Sequence, residues 1–108
     1  MLSVLLEFSM FPTSDECRDG SSVSKQVAKI IDAIDKSGVP YQLTPMGPVI
    51  EAKSMKEALG IIELSYEQLS DCERVYSSLK FDIRKNCENR LKTKIESVEK
   101  VLDRKVNH

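Results

Sequence analysis

The alternation of apolar and polar positions divides this chain into seven elements. Over residues 4–11, Val4, Leu6, Phe8 and Met10 fall on one side and Leu5, Glu7, Ser9 and Phe11 on the other, which predicts a strand. Phe11-Pro12 then opens a polar loop, residues 13–20, expected to be the most mobile stretch. Ser21 or Ser22 can cap a helix whose apolar stripe is Val23, Val27, Ile30, Ile31 and Ile34. Ser37-Gly38 ends it, the glycine supplying a left-handed residue. Residues 40–44 and 48–52 read as short strands joined by the tight turn Pro45-Met46-Gly47, a hairpin. Ser54-Met55-Lys56-Glu57 is a capping-box pattern, opening a helix expected to bury Met55, Leu59, Ile62, Tyr66 and Leu69.

Residues 74–84 form the clearest strand, with Val75, Ser77, Leu79, Phe81 and Ile83 opposite Tyr76, Ser78, Lys80, Asp82 and Arg84. A last helix from about residue 88 carries the stripe Leu91, Ile95, Val98 and Leu102. The order β-α-β-β-α-β-α predicts an α+β fold. It is a ferredoxin-like β-α-β-β-α-β antiparallel sheet with right-handed crossovers and an additional C-terminal helix.

Composition narrows this picture without altering it. A chain of 108 residues has room for one domain, residues 1–108, and its 41% hydrophobic and 31% charged residues are an ordinary globular mixture. A net charge of -1 gives no concentrated basic surface, so nucleic acid is not an expected partner. No apolar run approaches the ~20 residues of a membrane helix. Residues 1–10 contain Glu7, have no basic start and are followed by no small-residue cleavage site, which fits a first strand better than a signal peptide. Cys17, Cys72 and Cys87 are widely spaced, odd in number and in no C-x-x-C pair. They read as incidental thiols in a reducing, cytoplasmic compartment, with neither a disulfide framework nor a zinc site.

Catalytic templates fit poorly. The only histidine is the terminal His108, and there is no glycine-rich phosphate loop. Glu7, Glu51 and Asp82 could serve as general acid and base only if buried together. Helices in this fold cover one sheet face, so Glu7 and Ser9 belong on the open face with Tyr76, Ser78, Lys80, Asp82 and Arg84. That face is either a solvated surface or, given Leu5, Phe11 and Tyr76 among the charges, a subunit interface with a polar pocket. Lys80, Asp82 and Arg84 are either a self-neutralising ladder or a ligand clamp in which Asp82 accepts hydrogen bonds and Lys80 fixes position. Shielded charge-assisted bonds contribute roughly 1.5–3 kcal/mol each.

Several blocks resemble a known family. Glu7-Phe8-Ser9-Met10-Phe11-Pro12 with Ser22-Val23-Ser24-Lys25-Gln26-Val27-Ala28 is similar to the start of the thiamine-binding-protein family of YkoF-like small proteins. So are the block from Tyr41 through Thr44-Pro45-Met46-Gly47 to Glu51, and the segments at 73–84 and 94–99. The resemblance implies a ferredoxin-like fold, assembly into homodimers or homotetramers through the sheets, and non-catalytic binding of thiamine or its hydroxymethylpyrimidine portion, with no cofactor. Carried onto this sequence, the pocket residues are Glu7, Ser9, Thr44, Met46, Gly47, Glu51, Lys80 and Asp82. A carboxylate beside a hydroxyl complements a 4-aminopyrimidine, and Met46 with Phe11 could sandwich its ring. Pro48 replaces the family's usual threonine and removes a backbone donor, and Ala52 replaces its usual glycine. The competing readings are an oligomeric interaction protein without a ligand and, last, a small carboxylate enzyme.

Overall fold

The computed structural model describes residues 1–18, 20 and 22–108. The described residues form β1 (Leu2–Pro12), a 3-10 turn (Asp15–Cys17), α1 (Ser24–Ser37), β2 (Tyr41–Thr44), β3 (Gly47–Ala52), α2 (Met55–Glu67), β4 (Val75–Lys85) and α3 (Arg90–Leu102). The sheet order is β2-β3-β1-β4 with every neighbour antiparallel, which is the expected ferredoxin-like arrangement with its added C-terminal helix. Register is fixed by burial: Val4, Leu6, Phe8 and Met10 of β1 are buried together with Ile30 and Ile34 of α1 and Ile50 of β3. Each such side chain contributes about 1.5–3 kcal/mol when fully withdrawn from water.

The local signals act as their chemistry dictates, with two adjustments. Gly38 takes φ 82° and closes α1, its amide donating to the Asp35 carbonyl. At α2 the Glu57 amide donates to Ser54 Oγ at 3.0 Å, while the Glu57 carboxylate accepts from the Lys53 amide rather than from the capping residue's own. Ser22 does not cap α1, which starts at Ser24 with Val23 in the cap position, and Ser21 lies outside the described residues, as does Asp19. In α2 the buried side is Ala58, Ile61 and Ser65, whereas Leu59 and Tyr66 are exposed. Apolar residues nearly encircle this helix, so spacing allowed two stripes, and the one containing the small Ala58 lies inward.

Two expectations are corrected. Cys17 and Cys72 form a disulfide across 55 residues of sequence, leaving Cys87 free, so two of the three thiols are not incidental. Only the fold brings this pair together, which is why spacing gave no sign of it. With it goes the argument from unpaired thiols for a reducing compartment. The bridge joins segments already stitched together: the Thr13 amide donates to the Arg74 carbonyl at 2.9 Å and the Glu73 amide to the Glu16 carboxylate at 2.9 Å.

The second correction concerns the sheet face carrying Glu7 and Lys80. It is not left open along its whole length, because α3 lies over the end bearing Ser3, Glu51 and Asp82. No described helix is long and apolar enough to cross a membrane.

Closing a loop of this length removes on the order of 4 kcal/mol of unfolded-state entropy. Replacing Cys17 and Cys72 together by serine is therefore expected to lower the unfolding free energy by about 4 kcal/mol in urea titration. An unchanged midpoint would show that the bridge adds nothing to the folded state.

Candidate functional site

Six of the eight candidate residues separate into two groups, Glu51 and Asp82 beneath α3 and Ser9, Thr44, Met46 and Gly47 around the hairpin turn, where α1 also contributes lining. Glu51 pairs in register with Leu5, four residues before Ser9 on β1, so the groups are ~13 Å apart along the strand. Glu7 lies between them on β1, facing Lys80 in register across the β1–β4 pair; both are exposed.

At one end Glu51 is buried and fully engaged. One carboxylate oxygen accepts from Ser3 Oγ at 2.6 Å and the Arg90 amide at 3.0 Å, and the other from the Leu91 amide at 3.1 Å. Arg90 and Leu91 open α3, so Glu51 satisfies free amides at that helix start from a distant strand, and its charge suits the positive end of the helix dipole. Arg90, itself buried, donates to Ser3 Oγ and to the Ser3 and Asp82 carbonyls, and pairs with the Asp82 carboxylate at 3.0 Å. Lys94 meets that carboxylate at 2.9 Å.

Burial alone would raise the Glu51 pKa. The hydrogen bonds from Ser3, Arg90 and Leu91 and the Arg90 charge outweigh it and hold the carboxyl below its ordinary range. Hydrogen bonds from Lys94 and then Arg90 lower the Asp82 pKa. Ser3 and Arg90 are the partners that sequence reasoning missed. Ser3 continues the Glu7–Ser9 alternation, but β1 was expected to start one residue later. Arg90 carried no local signal.

At the other end Ser9, Thr44, Met46 and Gly47 converge on a cavity of about 180 Å³, walled also by Phe11, Val23 and Val27. It forms because the β1–β3 pairing stops at Glu7–Val49, leaving the β1 main chain from Phe8 onward without a β3 partner. The hairpin turn closes against that stretch of β1. Gly47 has φ 130°, and a Cβ there would stand 2.3 Å from the Phe8 carbonyl oxygen, so no side chain fits. Thr44 Oγ1 donates to the Gly47 carbonyl at 2.7 Å and accepts from the Met46 amide at 3.2 Å, which holds the turn. Met46 is 81% exposed at the rim.

This cavity runs into an open groove of about 580 Å³ between α1 and β2, sharing Val23, Val27, Ile31 and Leu43 and edged by Asp32 and Asp35. Asp32 is paired with Lys36 at 2.8 Å, and Asp35 accepts from the Tyr41 hydroxyl at 2.8 Å. The three carboxylates first considered as an acid–base set are not gathered: Glu7 and Asp82 are exposed and Glu51 is enclosed by α3.

The fold and this cavity define a small ferredoxin-like domain with a cavity of about 180 Å³ beside a hairpin turn. The family model for thiamine-binding protein matches residues 6–99, and the chain belongs to that family. It is 35% identical over 104 residues to a UPF0045 protein of Methanocaldococcus jannaschii, covering 91% of this chain and 94% of that one. A solved structure of the M. jannaschii protein superposes with a TM-score of 0.74 over 91% of this chain and 97% of that one. A UPF0045 protein of Methanothermobacter thermautotrophicus is 32% identical over 84 residues, 76% of this chain and 85% of its own length. A candidate thiamine biosynthesis/salvage protein of Thermotoga maritima, 18% identical, shares the fold with a TM-score of 0.63 over 89% of this chain and 98% of its own.

Replacing Glu51 by alanine leaves two α3 amides without their acceptor, while the Arg90 guanidinium keeps Ser3 and Asp82, and is expected to cost about 2–3 kcal/mol in urea titration. Because the folded-state pKa is depressed, the contribution is complete above the unfolded value of about 4.3 and disappears as pH falls through the folded value. The alanine variant should therefore lose less stability on acidification than the parent. Parallel pH curves would contradict this role.

Proposed function

We propose that this protein binds thiamine or its hydroxymethylpyrimidine portion, without catalysis, in the cavity formed by Ser9, Phe11, Thr44, Met46 and Gly47. The observation that carries this reading is the convergence of Ser9, Thr44, Met46 and Phe11 on one small cavity in a chain of the thiamine-binding protein family. A 4-aminopyrimidine needs acceptors for its amino group and donors for its ring nitrogens. The Ser9 hydroxyl and the β1 main chain beyond Phe8 offer both. Met46 and Phe11 can cover the faces of a flat ring.

The cavity of about 180 Å³ is smaller than the ~300–1,000 Å³ of drug-sized sites, which suits a single ring. The thiazolium of thiamine then extends into the wider groove along α1. There Val27 and Ile31 line the wall, and the carboxylate of Asp35 favours a cation, Asp32 being paired with Lys36. Glu51 and Asp82, committed to α3, hold the frame of the sheet and do not touch the ligand. Glu7 and Lys80 form the middle of the face and contribute charge beside the pocket.

We further propose that the chain works as a homodimer or homotetramer. Its radius of gyration is 15.4 Å, against ~13 Å for a compact chain of this size. The excess reflects the long β1–β4 ribbon. Leu79 and Ile83 on β4 and Val98 and Val101 on α3 are exposed apolar groups of the kind a second subunit covers.

Calorimetry is expected to show saturable binding of both thiamine and hydroxymethylpyrimidine. Loss of one hydrogen bond in the Ser9→Ala variant should weaken both about fivefold. Asp35→Asn should weaken thiamine and leave the uncharged pyrimidine unchanged. Absence of heat with either ligand at high protein concentration would refute the reading.

A further inference from the structure

β4 is an outermost strand of the sheet, and nothing in its sequence blunts that edge. It runs 11 residues, Val75–Lys85, with no proline or glycine, and it pairs with β1 along its whole length without a bulge. The other edge strand, β2, has only 4 residues and lies between Pro40 and Pro45. The groups that β4 offers at its edge follow from two bonds. The Asn86 amide donates to the Met1 carbonyl at 2.8 Å and the Thr13 amide to the Arg74 carbonyl at 2.9 Å, and both pairs continue the β1–β4 register. Alternation between them turns the main chain of Tyr76, Ser78, Lys80, Asp82 and Arg84 toward β1. Pro12, which has no amide proton, faces Val75 at a position that needs none, as this alternation demands. Ser77, Leu79, Phe81 and Ile83 therefore aim their amides and carbonyls at the open edge. The side chains of Leu79 and Ile83 lie on the core side of the sheet, opposite Phe8 and Val4, yet they are exposed because β4 is outermost.

We propose that β4 pairs antiparallel with β4 of a second copy of this chain about a two-fold axis at Phe81, joining the two sheets edge to edge. This interface is the surface of the self-association proposed above and rests on that reading, not on the ligand. Edge-facing residues must meet edge-facing residues, so a two-fold axis passes through one residue of the strand. At Lys80 it would set Lys80 against its own copy. At Asp82 it would set Asp82 against its own copy and Lys80 against Arg84. Like charges directly opposite repel, which disfavours both. At Leu79 no opposite charges meet within β4, and at Ile83 the ladder shrinks to residues 81–85. At Phe81 the ladder spans residues 77–85, and every pair in it is compatible. Lys80 faces Asp82 of the second copy and Leu79 faces its Ile83, each pair occurring twice about the axis. Both charges are available for this. Lys80 is exposed and in no ion pair among the described residues, and the exposed Asp82 carboxylate meets Arg90 and Lys94 on Oδ2 alone.

Sedimentation equilibrium of the full chain tests the interface, and pulsed electron paramagnetic resonance tests its register. Lys80→Glu sets like charges opposite each other twice and should raise the dissociation constant about tenfold or more, while Lys80→Arg should leave it unchanged. Leu79→Pro removes an edge-facing donor that bonds nothing within the chain, so it should dissociate the assembly with the circular dichroism of the parent retained. For the register, nitroxide labels are placed on cysteines at Ser77 and, separately, at Lys85, each in a Cys87→Ser background. Both positions lie four residues from Phe81, so the two label pairs should show the same separation, about 27 Å along the strands. An axis at Lys80 would instead give roughly 20 and 34 Å. A chain that stays monomeric at all concentrations would overturn both this interface and the self-association it rests on. An assembly that ignores Lys80→Glu, or that shows unequal separations, would overturn the interface and leave self-association standing.

Discussion

A single buried carboxylate organises this molecule. Glu51 leaves β3 on the face away from α1 and α2, and would be costly there without partners. Ser3 from β1 and the first two amides of α3 supply them, and Arg90 from α3 brings the compensating charge and reaches on to Asp82 of β4. Three strands and the last helix thus meet at one polar knot. The apolar stripe of α3 is only partly covered, Leu91 and Ile95 being half-buried and Val98 and Leu102 exposed. The anchor at its first turn decides where the helix lies and which end of the sheet face it covers. The cavity at the hairpin turn, which α1 helps to wall, shares no lining residue with α3.

This division explains why residues of similar chemistry take different parts. Glu51 and Asp82 are negative groups on the same face as Glu7, yet both are spent on α3. In the proposed site the ligand chemistry falls to weaker groups, a serine hydroxyl, the β1 main chain, a methionine and a phenylalanine. Their arrangement depends on Gly47, where any side chain would meet the Phe8 carbonyl, and on Thr44, whose hydroxyl closes the turn from within. A pocket made this way favours a flat, hydrogen-bonding, weakly polar ring over a strongly charged group.

Much of the fold was legible because each element carries a periodic signal and a terminator. The alternation in β1 and β4, the Gly38 stop, the Ser54–Glu57 start and the Pro45–Gly47 turn are all local, and local chemistry is what a sequence displays. The candidate site was legible in part for the same reason: the turn residues and Ser9 come together as their elements predict. What stayed hidden depends on contacts between distant residues. The Cys17–Cys72 bridge spans 55 positions, and Glu51 reaches Arg90 across 39. Likewise the inward side of α2 was ambiguous, because residues such as Leu59 and Ile61 are apolar on both flanks and only packing against the sheet chooses between them.

The central claim is that ligand binds beside the hairpin turn while the Glu51 knot serves α3. A crystal structure grown with hydroxymethylpyrimidine tests it most directly. Density for a flat ring is expected between Phe11 and Met46, within hydrogen-bond distance of Ser9, with the bonds from Ser3, Arg90 and Leu91 to Glu51 intact. A ring seated against Glu51 or Asp82, with α3 displaced, would contradict it.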